Sequence, residues 1–220
     1  MYRKQSGFTL VEIAIVLVII GLLLGGVLKG QELINSAKVK NMAGDFRNIS
    51  TFVYAYQDKF RALPGDDTAV VNHVGAGATV ATTPAGSVGN ARLNGTWNSA
   101  TATDETYLFW QHVRLAGLAT GTTNTAAADY VPRNADGGAI GITGDPVLTA
   151  PTTPYIANFY VCSTNIQGRF ARQIDTTIDD GNTATGTLRV ICQNTCATAA
   201  DAVALAPADD ANLYTVCAAY

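Results

Sequence analysis

The sequence predicts an α+β fold in which a long N-terminal helix packs on an antiparallel sheet of about four strands. Three observations lead to this prediction. A run of membrane-spanning length opens the chain, apolar residues with helical spacing continue beyond it, and short strand candidates lie in the second half. With 220 residues, the chain has enough length for one globular core and an extension, but not for several domains.

The first element is a short basic leader followed by an almost wholly apolar run. Residues 1–7 contain Arg3 and Lys4, and residues 8–28 contain one charged residue, Glu12. About 20 apolar residues span a bilayer, and positive charge on one flank keeps that flank in the cytoplasm. The pattern predicts a single membrane span with a cytoplasmic N-terminus and the bulk of the chain on the far side.

Two ordinary explanations of such a run fit less well. A secretory signal peptide ends in a small-residue cleavage site, whereas this run continues into residues 29–40 without an Ala-x-Ala site. A plain membrane anchor leaves Glu12 unexplained, because a carboxylate within a span is costly. The alternative for Glu12 is a position close enough to the interface to stay hydrated.

Residues Gly7-Phe8-Thr9-Leu10-Val11-Glu12 resemble the cleavage and methylation motif of type IV prepilins and type II secretion pseudopilins. The resemblance implies that a prepilin peptidase cuts after Gly7 and that Phe8 becomes the N-methylated first residue. It also implies an inner-membrane precursor that assembles into a periplasmic or extracellular filament. The implied partners are the lipid bilayer, further copies of the subunit and an inner-membrane assembly platform.

Glu12 has an expected role in that assembly. In lipid, a carboxylate and an ammonium group are each costly alone and less costly together. We expect Glu12 of one subunit to pair with the Phe8 amine of a neighbouring copy, which would fix the axial register.

Four glycines interrupt the apolar run in two pairs. Gly21 and Gly25 are four residues apart, as are Gly26 and Gly30. This spacing of small residues lets membrane helices approach closely, so we expect helix packing there. Glycine tolerated in a membrane helix without a packing role is the alternative.

The helix is predicted to continue beyond the span as far as Leu63-Pro64-Gly65. Its apolar stripe is expected to face a globular core and consists of Ile34, Ala37, Phe46, Ile49, Phe52, Val53, Tyr56 and Phe60. The predicted parts of the chain are a leader at 1–7, a transmembrane half-helix at 8–28, an amphipathic half-helix at 29–63 and a globular domain at 64–220.

Within the globular domain, three short helices and four strands are expected. The first short helix is expected to be capped by Asp66 or Asp67. The second is expected over 104–118, with Asp104 or Thr103 as its cap, and the last over Arg169–Ile178. The strand candidates are 139–143, 155–162, 187–193 and 213–218.

The four cysteines, Cys162, Cys192, Cys196 and Cys217, all lie in the last third of the chain. An even number confined to one region indicates disulfides formed in an oxidising compartment, with free buried thiols as the alternative. Four cysteines allow three pairings, which the sequence does not distinguish. Of these we favour Cys196 with Cys217 and Cys162 with Cys192.

Asp175, Asp179 and Asp180 gather near a predicted turn, and calcium takes such oxygen ligands. Some pseudopilins bind calcium in the C-terminal region; a solvated turn is the alternative.

No other cofactor is expected. No nucleophile elbow, zinc-protease or phosphate-loop motif occurs and His112 stands alone, so we do not expect an enzyme. The net charge of −3 gives no reason to expect a nucleic-acid partner.

These observations favour a prepilin, a structural subunit of a type IV pilus-like extracytoplasmic filament. The nearest alternative is a type II secretion pseudopilin, which would use the same N-terminal helix. A monomeric membrane-anchored adhesin or binding domain is a second alternative, and it predicts an uncleaved N-terminus and no self-association.

Overall fold

The computed structural model describes residues 9–220, which form four α-helices, four strands and one turn of 3-10 helix. The helices are α1 (Leu10–Phe60), α2 (Val70–Val74), α3 (Glu105–Leu115) and α4 (Gly168–Ile178), and the 3-10 turn is Pro207–Asp209. The strands are β1 (Ile140–Thr143), β2 (Tyr160–Gln167), β3 (Leu188–Gln193) and β4 (Leu213–Ala219). The predicted α+β class, with a long N-terminal helix and a small antiparallel sheet, is confirmed.

The chain divides into two compact units, one ending at Lys38 and the other comprising Val39–Tyr220. Helix α1 contributes to both units and continues through Gly25 and Gly26. It ends at Phe60 because Arg61 adopts a left-handed backbone conformation, with φ of 58°, and donates its N–H to the Gln57 carbonyl at 2.9 Å. This arrangement closes a helix before the Pro64-Gly65 turn.

The buried face of α1 lies wholly in the second unit. Its members recur at spacings of three and four and are Val39, Met42, Ala43, Phe46, Ile49, Ser50, Val53 and Tyr56. The prediction is confirmed for the last part of this stripe and wrong for Ile34 and Ala37, which are exposed. At about 100° per residue, Ala37 lies about 180° around the helix from Phe46, so it cannot share the buried face.

The four strands form one antiparallel sheet in the order β1-β2-β4-β3. Along β2 and β4, neighbouring residues enter different apolar clusters, as the strand period of two requires. Val161, Val190 and Val216 pack in the cluster that also contains the buried face of α1. Cys162 and Cys217 lie in a smaller cluster around Trp97. Both faces of the sheet are therefore covered.

Three predicted strands agree with the structure to within a residue or so, whereas the second is displaced from 155–162 to Tyr160–Gln167. The strand continues past its apolar residues because the polar side chains that follow are buried and bonded. Ser163 accepts a hydrogen bond from the Asn134 amide at 2.8 Å. A bulge lies between Ser163 and Ile166, where Asn165 has a φ of 60°. Apolar periodicity does not report such a polar extension.

Helix α3 begins where it was predicted, but the predicted side-chain capping bond does not form. Asp104 occupies the N-cap position of α3, but its carboxylate accepts hydrogen bonds from the Ser99 and Thr83 hydroxyls instead of from the helix. Asp66, expected to cap a helix, instead accepts the backbone N–H groups of Gly89 and Ala91. Both carboxylates organise loops rather than helix ends.

Candidate functional site

Helix α1 begins with a reciprocal pair of bonds between Thr9 and Glu12. The Glu12 Oε2 accepts the Thr9 N–H at 2.8 Å and the Thr9 hydroxyl at 2.7 Å, while the Glu12 N–H donates to Thr9 Oγ1 at 3.3 Å. This is a capping box, in which two otherwise unbonded N–H groups are satisfied. Within residues 9–220 both bonds to the Glu12 carboxylate are accepted by Oε2, and Oε1 has no hydrogen-bond partner.

The capping box corrects one step of the sequence argument. The sequence argument took Glu12 to be unexplained in a plain membrane anchor, whereas Thr9 gives this carboxylate a partner in its own chain. The signal was present, because Thr9-x-x-Glu12 has the spacing of a capping box. A plain anchor therefore no longer leaves the carboxylate unexplained, and the assembly role of Glu12 has to be tested separately from its capping role.

The first part of α1 exposes an extensive apolar surface. Sixteen large hydrophobic side chains between Leu10 and Ile34 are exposed, against three elsewhere in the described chain: Tyr54, Val71 and Ile156. None of the most apolar window of the helix is buried. By length and composition, α1 is the one helix among residues 9–220 that could cross a membrane. Lys29 and Glu32, paired at 2.6 Å, follow the apolar run.

The four glycines of this run lie on open helix surface. A Cβ added at Gly21, Gly25, Gly26 or Gly30 would meet no atom within 4 Å. Packing within this chain therefore gives no reason for glycine at these positions. The predicted cleavage and methylation residues, Gly7 and Phe8, lie outside the described residues.

All four cysteines form disulfides, in a different pairing from the one we favoured. Cys162 bonds Cys217, with 4.1 Å between the Cα atoms, and Cys192 bonds Cys196, with 6.5 Å. The favoured pairing is wrong because β4 separates β2 from β3, which keeps Cys162 away from Cys192. Cys162 and Cys217 are instead directly opposite in the ladder of β2 and β4.

The three aspartates singled out at the end of α4 are brought together. Asp175 lies in the last turn of the helix, and Asp179 and Asp180 follow it. One carboxylate oxygen from each lies within 4.8 Å of the others, a grouping that could bind a metal ion. Burial raises the pKa of Asp175 to about 7, and the charges of Asp180 and Asp179 add to this rise.

The two histidines hold the loop after α1 in place. His112 is fully buried; its Nδ1 accepts the Gly65 N–H at 2.8 Å, and its Nε2 lies 2.8 Å from the Thr79 carbonyl. Burial lowers the pKa of His112. His73 Nδ1 lies 2.6 Å from the Asp67 carboxylate. Both ring nitrogens of His112 are thus engaged by backbone groups, which gives this residue a structural role.

Comparison with known proteins identifies the N-terminal segment. The family model of the prokaryotic N-terminal methylation motif matches residues 2–28. This is the leader motif of prepilins and pseudopilins, and it marks pilin-type structural subunits rather than enzymes. Searches of curated proteins and of solved structures found no match.

Proposed function

We propose that this chain, which opens with the N-terminal methylation motif, is a prepilin that becomes a structural subunit of a type IV pilus-like filament. The motif at residues 2–28 carries the proposal, because it supports a pilin-like or pseudopilin precursor. In this proposal the leader at 1–7 is removed after Gly7 by a prepilin peptidase, and Phe8 is N-methylated. The globular domain at 64–220 then stands on the outer face of the inner membrane, and later on the filament.

The exposed apolar surface of α1 supports an assembly role. Large apolar patches on a soluble surface mark interaction sites, and a fully exposed run of this length needs lipid or other helices around it. The bilayer would surround it in the precursor. Neighbouring copies would surround it in the filament, and the open faces at Gly21, Gly25, Gly26 and Gly30 would let helices approach closely.

Glu12 is proposed to pair with the methylated amine of Phe8 in an adjacent subunit. Within residues 9–220 its Oε1 accepts no hydrogen bond, so we propose that this oxygen receives the second donor. The capping bonds also hold the carboxylate in one position before assembly. An ion pair desolvated between two subunits would then favour one axial register over others.

A pseudopilin of a type II secretion system remains the second candidate, because the same leader motif serves both classes. The two differ in where the assembled subunit is found. A pilus subunit is recovered from the cell surface by shearing, whereas a pseudopilin filament stays in the periplasm. We favour the pilus subunit because the Thr- and Ala-rich loops of residues 66–103 and 119–154 would suit the outer surface of a filament.

The deciding experiment is mass spectrometry of the intact protein from cells with and without the prepilin peptidase. We expect the mature chain to begin at Phe8 and to be heavier than the unmodified chain by one methyl group. Replacing Gly7 by Val should leave the chain beginning at Met1, whereas the matched leader variant Ser6→Ala should be processed normally. A wild-type chain that keeps Met1 and stays monomeric in the membrane would refute the proposal in favour of an anchored binding domain.

A further inference from the structure

We propose that Asp45 forms a second contact between subunits, in which its carboxylate receives the Lys40 ammonium group of an adjacent copy. The inference rests on the proposed function, because it requires copies of α1 to pack side by side in the same direction. It adds a site in the globular unit to the pairing proposed at Glu12.

Asp45 is a partly buried carboxylate without a partner in its own chain. Among residues 9–220 it makes no hydrogen bond and no ion pair. Burial raises its pKa to about 6, and no neighbouring group lowers it again. An ionised group withdrawn from water is costly unless an opposite charge accompanies it. The carboxylate would therefore be stabilised by a cation supplied from outside the chain.

A cavity of about 230 Å³ lies at Asp45, between α1 and α3. The aromatic side chains of Phe52 and Trp110 line it together with Asp45. A lysine side chain suits such a cavity, because its apolar stem packs on aromatic rings while its ammonium group reaches a carboxylate. The cavity thus has the chemistry to receive a lysine side chain.

The arginines near Asp45 are engaged elsewhere. Arg114 also lines the cavity, but its buried guanidinium donates to three backbone carbonyls at 2.7 to 3.2 Å. Arg47, two residues further along α1, donates to the Thr177 carbonyl at 3.3 Å. Neither forms an ion pair with Asp45 within residues 9–220, so its negative charge is available to a neighbouring copy.

Lys40 carries the matching charge. Its side chain is exposed and makes no ion pair within the described chain. It cannot pair with Asp45 of the same helix, because five residues separate the two side chains by about 140° around the axis. One copy can instead give its Lys40 to one neighbour and receive at Asp45 the lysine of another. Such a head-to-tail contact can repeat along an open helical assembly.

The pairing proposed at Glu12 requires the same register. If Phe8 of a neighbour lies level with Glu12, that neighbour is displaced along the helix by four residues, about 6 Å. For parallel helices, this displacement brings residue 41 of the neighbour level with Asp45. Lys40 is one residue from that level, a rise of about 1.5 Å. A single displacement between adjacent copies therefore satisfies both contacts.

Gly44 leaves room for a second helix beside these charges. It lies within α1, where glycine is less favourable than alanine, and a Cβ added to it would meet no atom within 4 Å. Packing inside the chain thus gives no reason for glycine at this position. The absence of a side chain next to Asp45 lets the backbone of another copy approach closely.

The test is disulfide cross-linking of the full chain in cells that assemble it. The native cysteines are all paired with one another, so they do not compete with introduced thiols. We expect the double variant Lys40→Cys/Asp45→Cys to give a ladder of linked copies on a non-reducing gel, and each single variant to give none. The matched control is Lys40→Cys/Asp58→Cys, whose positions are about 27 Å apart along α1, and it should remain monomeric.

Charge reversal provides an independent measurement. Lys40→Glu or Asp45→Lys alone should lower the yield of sheared filaments by about five-fold or more, because like charges would meet at the contact. The two substitutions together restore opposite charges, so the yield should return to within about two-fold of wild type.

The outcomes separate this contact from the proposed function. Wild-type filaments without a ladder in the Lys40→Cys/Asp45→Cys variant would overturn the contact and leave the filament subunit standing. A double reversal that assembles no better than either single variant would do the same. A wild type that assembles nowhere would overturn both. If Asp45→Lys does not fold, the cross-linking result decides.

Discussion

Asp67 links the end of helix α1 to the loop that follows it. Its carboxylate, 2% exposed, accepts hydrogen bonds from the Tyr56 hydroxyl at 2.7 Å and the Ala69 N–H at 2.9 Å. Burial by itself would raise the pKa of Asp67, but the bonds from His73, Tyr56 and Ala69 outweigh it and lower the pKa. Asp67 is therefore ionised in the folded protein, and its partners stabilise a buried charge.

Replacing Tyr56 by Phe removes one of these partners without changing the packing of the ring. We expect the free energy of unfolding to fall by about 1–2 kcal/mol, because the hydroxyl bonds an ionised group that stays buried. Urea unfolding in detergent measures the change. The matched control is Tyr54→Phe, whose side chain is 52% exposed. Equal effects of the two substitutions would contradict the importance of the buried bond.

Asp45 predicts a dependence of stability on pH. Burial raises its pKa to about 6, above the value of about 3.9 expected in the unfolded chain. Between about pH 4 and pH 6, the folded form therefore holds a proton on Asp45 that the unfolded form has lost. The contribution of Asp45 to stability is fully present below about pH 4 and disappears as the pH rises towards 6.

At pH 7.5, Asp45→Asn should therefore need a higher urea concentration to unfold than the wild type. Its free energy of unfolding should be larger by about 1 kcal/mol, after allowance for the partial exposure of Asp45. The two proteins should converge towards pH 4. Measurements in EDTA exclude effects of bound cations, and Asp58→Asn removes an exposed charge from the same helix as a control. A constant difference at all pH values would show that burial of the charge is not the cause.

At the scale of secondary structure, the sequence predicted the elements well and their partners poorly. Periodicity located α1, α3 and three of the four strands because it reports which faces are buried. It failed at Ile34 and Ala37, because these apolar residues lie on the exposed side of the helix. It also missed the extension of β2, since buried polar residues such as Ser163 are indistinguishable from loop residues in sequence. The disulfide pairing depends on the order of the strands in the sheet, and the sequence pattern of an individual strand does not indicate that order.

At the start of α1 the observed helix cap and the proposed pairing between subunits involve the same side chain, Glu12, and experiments can separate the two roles. Glu12→Ala should be inserted and cleaved normally, but its filament yield should fall by about ten-fold or more, because a neighbour's ammonium would be left unpaired in lipid. Thr9→Ala removes the hydroxyl of the capping box, and keeps the carboxylate and the backbone N–H bond to it. It should cost about 1 kcal/mol of helix stability and leave the yield near normal.

Shearing of cells followed by immunoblotting measures the yield of both variants against the same amount of membrane-inserted subunit. If Thr9→Ala lost as much filament as Glu12→Ala, the role of Glu12 would be that of a helix cap. If Glu12→Ala assembled like wild type, the proposed pairing with Phe8 would have to be abandoned.

At the scale of the whole molecule, the two disulfides differ in the length of chain that they close. Cys162 and Cys217 are 55 residues apart, whereas Cys192 and Cys196 are 4 apart. A cross-link that closes a longer loop removes more conformational freedom from the unfolded chain. The first disulfide also joins two paired strands in the middle of the sheet, and the second closes a turn after β3.

Replacing both members of each pair by Ala should therefore have unequal effects. We expect a loss of about 4 kcal/mol for the Cys162–Cys217 pair and about 2 kcal/mol for the Cys192–Cys196 pair. Urea unfolding of each double variant gives both values. A larger loss for the short loop would indicate that strain or local packing, and not loop closure, determines the stability gained from these bonds.

The strand order also constrains the timing of folding. The strand that comes last along the chain, β4, lies between β2 and β3 and pairs with both. The sheet therefore cannot be completed until β4 has been synthesised and has reached the other strands. A subunit threaded through a membrane channel from its N-terminal side would wait with two unjoined sheet fragments and an open Cys162 thiol. In the proposed inner-membrane precursor, periplasmic chaperones and thiol oxidases would meet this incomplete form, and the membrane-embedded helix would keep it beside the channel until the sheet closed.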